Sequence, residues 1–309
     1  VHLVGGEVIM PEITSWFLKG IDFASAPSSQ TELAAMAVQN SVSKCELLPS
    51  AKWEPILQGV NYTASPGWVP LEELASFRRG IATGANSFFL LSAERLAELG
   101  IEQSRCFPCV GRALDVKGLI YRNADFERAA DRGAKLFLLN LSDPLSREEA
   151  SYVESGETEG LTDRYLLKTR RTWYSMEQRQ PAPVWSAVFG RGDLKFVHNE
   201  AGVRSLTNFH CIYPDDNRPE MHRALALCLN STTSRDSSKL HGRVYGGGLN
   251  KFEPNDLKAI QVPDLRKVPL EMLLEMGEHL RKLDAAPADD SILSSANRLA
   301  QEAAQIASD

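Results

Sequence analysis

Among the residues able to do chemistry, Cys106-Phe107-Pro108-Cys109 has the spacing of half a tetrahedral zinc site. Completing it takes a second close pair of thiol or imidazole ligands, and His210-Cys211 is the candidate by composition. A lone pair of this kind in a chain with five cysteines reads as two buried thiols, and no thioredoxin-like βαβ pattern surrounds it, so no metal is expected. Serines and histidines are present without a Gly-x-Ser-x-Gly elbow. The paired carboxylates Asp215-Asp216 and Asp289-Asp290 sit among Pro-rich or linker residues and read as turns. Glu253 lies near Lys251 and Lys258, but not with the spacing a nuclease needs. Val188-Phe189-Gly190-Arg191-Gly192 loosely resembles a cofactor glycine loop, yet no helix pattern follows it. No catalytic residue is expected in this chain.

Three other segments are suited to binding. In the first, Arg78 and Arg79 lead into a loop containing Gly80, Thr83, Gly84 and Asn86, then an apolar run through Phe88 and Phe89. Such a loop can bring backbone amides and hydroxyls close to phosphate, with a plain tight turn as the competing reading. In the second, Lys168, Arg170 and Arg171 stand beside Trp173 and Tyr174, a composition common on nucleic-acid surfaces. In the third, Arg243 and Tyr245 precede Gly246, Gly247 and Gly248, with Lys251 just beyond. Three consecutive glycines cost backbone entropy, which close approach to a ligand or another backbone would justify.

The formal net charge of −6 at first argues against nucleic acid. Its distribution argues less strongly: residues 161–260 hold 15 Lys+Arg against 10 Asp+Glu, whereas residues 1–160 hold 14 against 21 and residues 261–309 hold 5 against 9. A locally basic face is what phosphate contact needs, and a solvated surface is the competing reading. No apolar run approaches the roughly 20 residues that span a bilayer, and Val1–Gly6 lacks the pattern of a signal peptide. With an odd number of cysteines, a reducing cytoplasm is the expected location.

The elements that position these segments are short. Residues 24–29 read as a loop, with Thr31 capping a helix over 31–40 and a second loop over 59–70. Ser92 and Gly100 bracket one helix, Asn123 and Gly133 another, and Ser146 with Glu149 forms a capping box before a helix that Gly156 ends. Strands are expected over 88–91, 119–122, 136–139, 184–189, 194–198 and 209–213. They do not alternate with long helices, which excludes a doubly wound sheet and predicts an α+β fold with a mixed sheet. Leu270, Leu273, Leu274, Leu280 and Leu283 mark one helix face. Ile292, Leu293, Ala296, Leu299, Ala300, Ala303 and Ile306 mark another, entered through Asp290 or Ser291. The division expected is an N-terminal segment or linker over 1–65, with the tail of a missing catalytic domain as one reading of it, a DNA target-recognition domain over 66–265, and a C-terminal helical hairpin over 266–309.

In order, these segments resemble the C-terminal target-recognition region of the TaqI-like and Eco57I-like adenine-specific DNA methyltransferases. The likeness rests on Arg78–Phe89, Arg170–Tyr174, Asn199 with Thr207–His210, Leu229-Asn230-Ser231, and Gly242–Gly248 with Lys251–Pro254 and Val262-Pro263. It covers roughly residues 53–265. The resemblance implies a domain that clamps double-stranded DNA and reads the target bases, while a catalytic domain or chain binds S-adenosylmethionine and methylates a flipped adenine. The Pro-Pro-aromatic grip of that catalytic part is missing: Asn140–Pro144 has one proline where two are required. The chain is therefore expected to be the DNA-reading part, without its own cofactor. Arg78, Arg79, Arg170, Arg171, Arg243 and Lys251 are expected at phosphates, and Lys168 and Arg191 are also expected to bind DNA. Thr83, Asn86, Asn208 and Tyr245 are expected to face the groove, and the loops over 191–193 and 234–239 to carry the sequence-specific contacts. Two other readings stay open: a specificity subunit of a multi-chain restriction–modification complex, and an interaction scaffold that does not bind DNA.

Overall fold

A computed structural model describes residues 12–17, 29, 31–32, 38–43, 65–191, 193–239, 241–245 and 249–309. The chain divides into two compact units, 1–64 with 239–241 and 65–238 with 242–309. In the first, β1 (Glu12–Phe17) and β2 (Val38–Ser43) pair antiparallel, from Glu12 opposite Ser43 to Phe17 opposite Val38. Residues 38–40 thus belong to a strand where a helix was expected, in keeping with the poor helix propensity of Val, Asn and Ser in VQNSVS. Thr31 and Glu32 are helical, and Ser29 Oγ accepts from the Glu32 amide at 3.2 Å. Residues 24–28, 33–37 and 59–64 of the expected elements lie outside the described residues.

The second unit begins with β3 (Trp68–Pro70), β4 (Ala75–Arg79), α1 (Asn86–Phe89), β5 (Leu90–Leu91), α2 (Ala93–Leu99), β6 (Cys106–Val110), β7 (Ile120–Tyr121), α3 (Asn123–Ala130) and β8 (Phe137–Leu139). It continues through α4 (Arg147–Thr158), α5 (Tyr165–Lys168), β9 (Val184–Ala187), β10 (Phe189–Arg191), β11 (Phe196–Asn199), β12 (Arg204–Ser205) and β13 (Phe209–Pro214). Then come α6 (Pro219–Leu229), α7 (Thr232–Lys239), β14 (Arg243–Tyr245), β15 (Leu249–Lys251), α8 (Pro254–Lys258), β16 (Gln261–Pro263), α9 (Leu270–Ala285) and α10 (Asp290–Ser308). This is the α+β fold with mixed sheets and a C-terminal helical hairpin that the pattern predicts. Trp68–Pro70, expected within a loop, pairs instead with Gln261–Pro263.

The central sheet runs β4-β13-β9-β11-β7, antiparallel except for the parallel pair of β7 with β11. Its side chains alternate between two cores, as a period of two dictates. Ile120, Val184, Phe196 and Ile212 join α6, α9 and α10, while Tyr121, Trp185, Val197, Phe209 and Cys211 enter a core on the opposite face. A second sheet, β12-β6-β8-β5, is packed by α1, α2 and α4 into a third core around Phe88, Phe89, Leu138 and Val153. The capping box at Ser146 and Glu149 forms, with Ser146 Oγ accepting from the Glu149 amide at 3.1 Å. The helix it starts does not end at Gly156. It continues to Thr158, and the left-handed Gly160 (φ 72°) follows. Gly156 has a different reason: a Cβ there would lie 2.5 Å from the Trp173 ring and 2.7 Å from Phe88.

The hairpin also forms with its face rotated from the expected one. Leu273, Met276, Gly277, Leu280 and Leu283 are buried, while Leu270 and Leu274 remain 47% and 46% exposed. α10 buries Ala296, Leu299, Ala300, Ala303, Ala304 and Ala307, and its cap is Asp289, which accepts from the amides of Ser291 and Ile292.

Candidate nucleic-acid interface

The loop from Gly80 to Ala85 is shaped by its own backbone. The Gly80 amide donates to Phe209 O at 2.9 Å and the Ile81 amide to Ser205 O at 2.8 Å, which draws the loop so close that a Cβ on Gly80 would lie 2.0 Å from Leu206 O. Gly84 has φ +80° and leaves space that Leu166 and Leu167 occupy. Between the glycines, Thr83 is 1% exposed, donates from Oγ1 to Asn86 Oδ1, and accepts from the Ala85 amide at 3.1 Å. Its expected groove-facing role is corrected: the hydroxyl ties the loop to the first turn of α1. Asn86 is exposed, although its side-chain oxygen is taken by Thr83. Residues 88–89, expected to open a strand, close that helical turn, because Ala85 O accepts from the amides of both Phe88 and Phe89.

A second loop closes on the first. The Arg170 guanidinium donates to Ala82 O at 2.9 Å, Thr83 O at 3.0 Å, Ser175 O at 3.0 Å and, at 3.5 Å, Trp173 O. Arg164 adds a bond to Gly84 O at 3.1 Å. Burial pulls the Arg170 guanidinium below its ordinary range, yet four hydrogen bonds from its two terminal nitrogens to carbonyls compensate the cation. The expected phosphate contact at Arg170 is corrected accordingly, since its fork is filled by the protein's own backbone. Trp173 packs its ring 5.2 Å from that of Phe88 and donates to Glu157 at 3.1 Å, and Tyr174 donates to Asp143 at 2.9 Å. The motifs around Arg78 and Arg170 are thus two halves of one structural unit.

Around this unit the cations that face water are Arg78 and Arg79, on the edge strand β4, and Lys168 and Arg171 on the closing loop. None of the four has a carboxylate within ion-pair distance among the described residues. Arg164, exposed and part of the same basic run, and Arg179, which donates to Arg79 O, were not singled out from sequence. The run Arg164–Arg171 was the available signal. Lys251 differs from its expected role: its ammonium pairs with Glu253 at 2.7 Å and lies 5.8 Å from the Phe189 ring centre. Asn208, exposed at the β12–β13 turn, donates to Gly111 O at 2.6 Å and so holds a loop.

The third glycine-bearing segment lies in the small sheet β10-β15-β14, where Arg191 is opposite Leu249, and Arg243 and Tyr245 are opposite Lys251 and Leu249. The side chains of Arg191, Arg243 and Tyr245, and Gly246, Gly247 and Gly248 altogether, are outside the described residues. Residues 234–239, expected as a specificity loop, form part of α7, with Ser234, Ser237 and Ser238 buried and Ser234 Oγ donating to Gln261 O at 2.7 Å. The remaining shared asparagines are internal. Asn199 donates to Ala182 O and Val203 O and accepts from the Val203 amide, and Asn230 donates to Phe196 O and Ala226 O. Each satisfies backbone groups that sheet and helix leave over.

Cys106 and Cys109 lie in the core of β6, where burial pushes the Cys106 thiol up to about 12 and Cys109 higher still. His210 binds Phe252 O through Nε2 at 2.7 Å. Among the described residues no three His, Cys, Asp or Glu side chains are grouped to hold a metal ion, and no helix is long and apolar enough to cross a membrane.

Residues 57–297 match the family model described as Type II methyltransferase M.Eco57I, C-terminal domain. The chain is 34% identical over 223 residues to the Type II methyltransferase M.AccI of Acinetobacter calcoaceticus, a match covering 71% of this chain and 41% of that protein. It is 25% identical over 242 residues to the Type II methyltransferase M.XamI of Xanthomonas campestris pv. amaranthicola, covering 77% and 44%. The matched region thus spans less than half the length of either curated relative. The fold is also similar to that of the type IIG restriction endonuclease BpuSI, with a TM-score of 0.50 at 11% identity, over 88% of this chain and 36% of that one.

Proposed function

The chain belongs to the family of Type II methyltransferase M.Eco57I C-terminal domains, and from that premise we propose that it is the DNA-reading part of an adenine-specific, S-adenosylmethionine-dependent methyltransferase. In this reading it clamps double-stranded DNA in the bacterial cytoplasm while a catalytic domain or chain methylates a flipped adenine. The observation that carries the reading is the exposed set Arg78 and Arg79 on β4 with Lys168 and Arg171 beside the loop that Arg170 ties to residues 82 and 83, none with a carboxylate partner among the described residues. In a chain of net charge −6, such a cluster is where phosphates would be held. The buried Thr83, the half-buried Arg170 and the internal asparagines fix the backbone, and exposed residues around them are left to read sequence.

S-adenosylmethionine belongs to the catalytic part in this reading, because the glycine loop here does not fit it. Gly190 lies in β10 opposite Asn250, and among the described residues no helix stands between β10 and β11 to present its N-terminus to a cofactor. A salt titration tests the proposal. Affinity for a DNA duplex should fall steeply between about 50 and 200 mM salt as neutralised phosphates release counterions. Absence of duplex binding at the low end would overturn it.

A further inference from the structure

Tyr165 opens the one-turn helix α5 and is 79% exposed, with Leu166 beside it 36% exposed. Large apolar surface held out in water on a structured turn calls for a partner. The turn is anchored from beneath. Leu167 is fully buried, its amide and that of Lys168 donate to Arg164 O at 2.9 and 3.0 Å, and Arg164 itself reaches Gly84 O. The absent side chain of Gly84 is what seats it: a Cβ there would meet Leu167 at 3.0 Å and Leu166 at 3.4 Å. The ring therefore projects from the best-fixed part of the interface, where Arg170 binds the same loop.

Charge identifies the partner. Arg164 precedes the ring, Lys168 lies three residues on and so on the same helical face, and Arg171 follows, all exposed, with Asp163 the acidic neighbour in the chain. A flat aromatic face between cations suits a base whose stacking partner is lost, with phosphates on either side. We propose that Tyr165, supported by Leu166, is a stacking wedge that occupies an unstacked step of the bound duplex. The proposal rests on the DNA reading above and names the residue that fills the space when the duplex is opened. Tyr165 and Leu166 lie outside the motifs on which the sequence resemblance rests, on the loop that closes over residues 82–84.

The experiment compares two fluorescently labelled duplexes of one sequence, one intact and one with a single abasic site, binding the full 309-residue chain at low salt. The unaltered protein should prefer the abasic duplex about tenfold, within the range for one base–aromatic stack. Tyr165→Ala should lose that preference while the salt dependence of duplex binding, set by the cations, stays as it was, and Tyr165→Trp should keep the preference and show quenched emission on binding. Equal affinity of the unaltered protein for both duplexes, or a preference that survives Tyr165→Ala, overturns the wedge and leaves the DNA reading standing. No binding to either duplex overturns both. An unchanged melting temperature for Tyr165→Ala would exclude misfolding as the cause of a loss.

Discussion

Arg170 and Asp284 perform complementary tasks in two parts of the second unit. Arg170 gathers carbonyls: its guanidinium meets those of Ala82, Thr83, Trp173 and Ser175 and joins two loops across the 88 residues from Ala82 to Arg170. Asp284, near the end of α9, gathers donors. Its carboxylate accepts from the amides of Leu119 at 2.5 Å and Ile120 at 3.1 Å, and from Arg122 at 2.6 Å, pinning the start of β7 to the hairpin across 165 residues. Irregular backbone leaves either acceptors or donors unpaired, and the charged residue of the matching sign replaces the missing ladder. Both groups are therefore structural, although the sequence pattern places Arg170 at a phosphate. Their exposed neighbours Lys168 and Arg171 show the contrast, having the same charge as Arg170 and none of its bonds.

Removing the anion should have the larger effect. Asp284 is 8% exposed, and Asp284→Ala strands two amides and the Arg122 guanidinium, for an expected loss of about 4 kcal/mol of unfolding free energy. Gly118 is fitted to the same carboxylate, since a Cβ there would lie 2.3 Å from Asp284 Oδ1. Arg170→Ala should cost less, about 3 kcal/mol, because its guanidinium is half-buried and water can reach part of the site. Arg170→Lys should recover only part of this, as three ammonium donors cannot reproduce a planar fork. Denaturant melts of the three variants check both values. Losses below about 1 kcal/mol in either loop would show that water satisfies these groups as well as the side chains do.

These two residues also mark what the sequence conveys. Local signals were legible: Ser92 accepts from the Arg95 amide and Gly100 closes the same helix at φ 66°. So do the strand segments of the central sheet, whose β-branched and aromatic residues alternate between two cores. Direction was not legible. A basic run such as Lys168–Arg171 fixes residue type, while only the three-dimensional path of loop 80–86 decides that Arg170 turns in and Arg171 out. For the same reason Thr83 looked available to a ligand and is a buried cap, and Gly156 looked like a helix stop and is a seat for Trp173. The hairpin's apolar period was visible but its phase was set by the partner helix, where Gly277 admits Arg223, whose Nε would lie 3.2 Å from a Cβ. Asp284 gave no signal, since one aspartate before a linker reads as solvated.

A third kind of buried group sharpens the comparison, one that avoids charge instead of using it. His198 on β11 has a buried Nδ1 without a hydrogen-bond partner among the described residues, and burial, reinforced by Arg223, His222, Arg281 and Arg122, lowers its pKa to about 4. Burial lowers His210 and His222 as well. With the folded value depressed below the ordinary 6.5, the unfolded chain takes up the proton first as pH falls. Stability is thus full above about pH 6.5 and drains towards pH 4, by about 2 kcal/mol between pH 7 and pH 5 for His198 alone. Denaturant melts at the two pH values should show this, and His198→Gln should flatten the dependence. A profile that stays as steep in that variant would assign the effect to the other histidines.

The smallest stability effect belongs to the exposed cations, and it separates the two uses of positive charge most cleanly. Lys168→Ala with Arg171→Ala should change unfolding free energy by no more than about 0.5 kcal/mol, because both side chains are exposed and neither has an ion pair among the described residues. The same double variant should weaken duplex binding for every sequence alike and flatten the dependence of log affinity on log salt by about 2, nearly one for each phosphate contact removed. Arg170→Ala offers the opposite combination, a lower melting temperature with a salt slope preserved under conditions where the variant is folded. If instead the two variants lost binding and stability together, the inward and outward arginines would not be doing different work, and the basic face would have to lie elsewhere. The exposed strand end at Arg78 and Arg79 would then be the next place to remove charge.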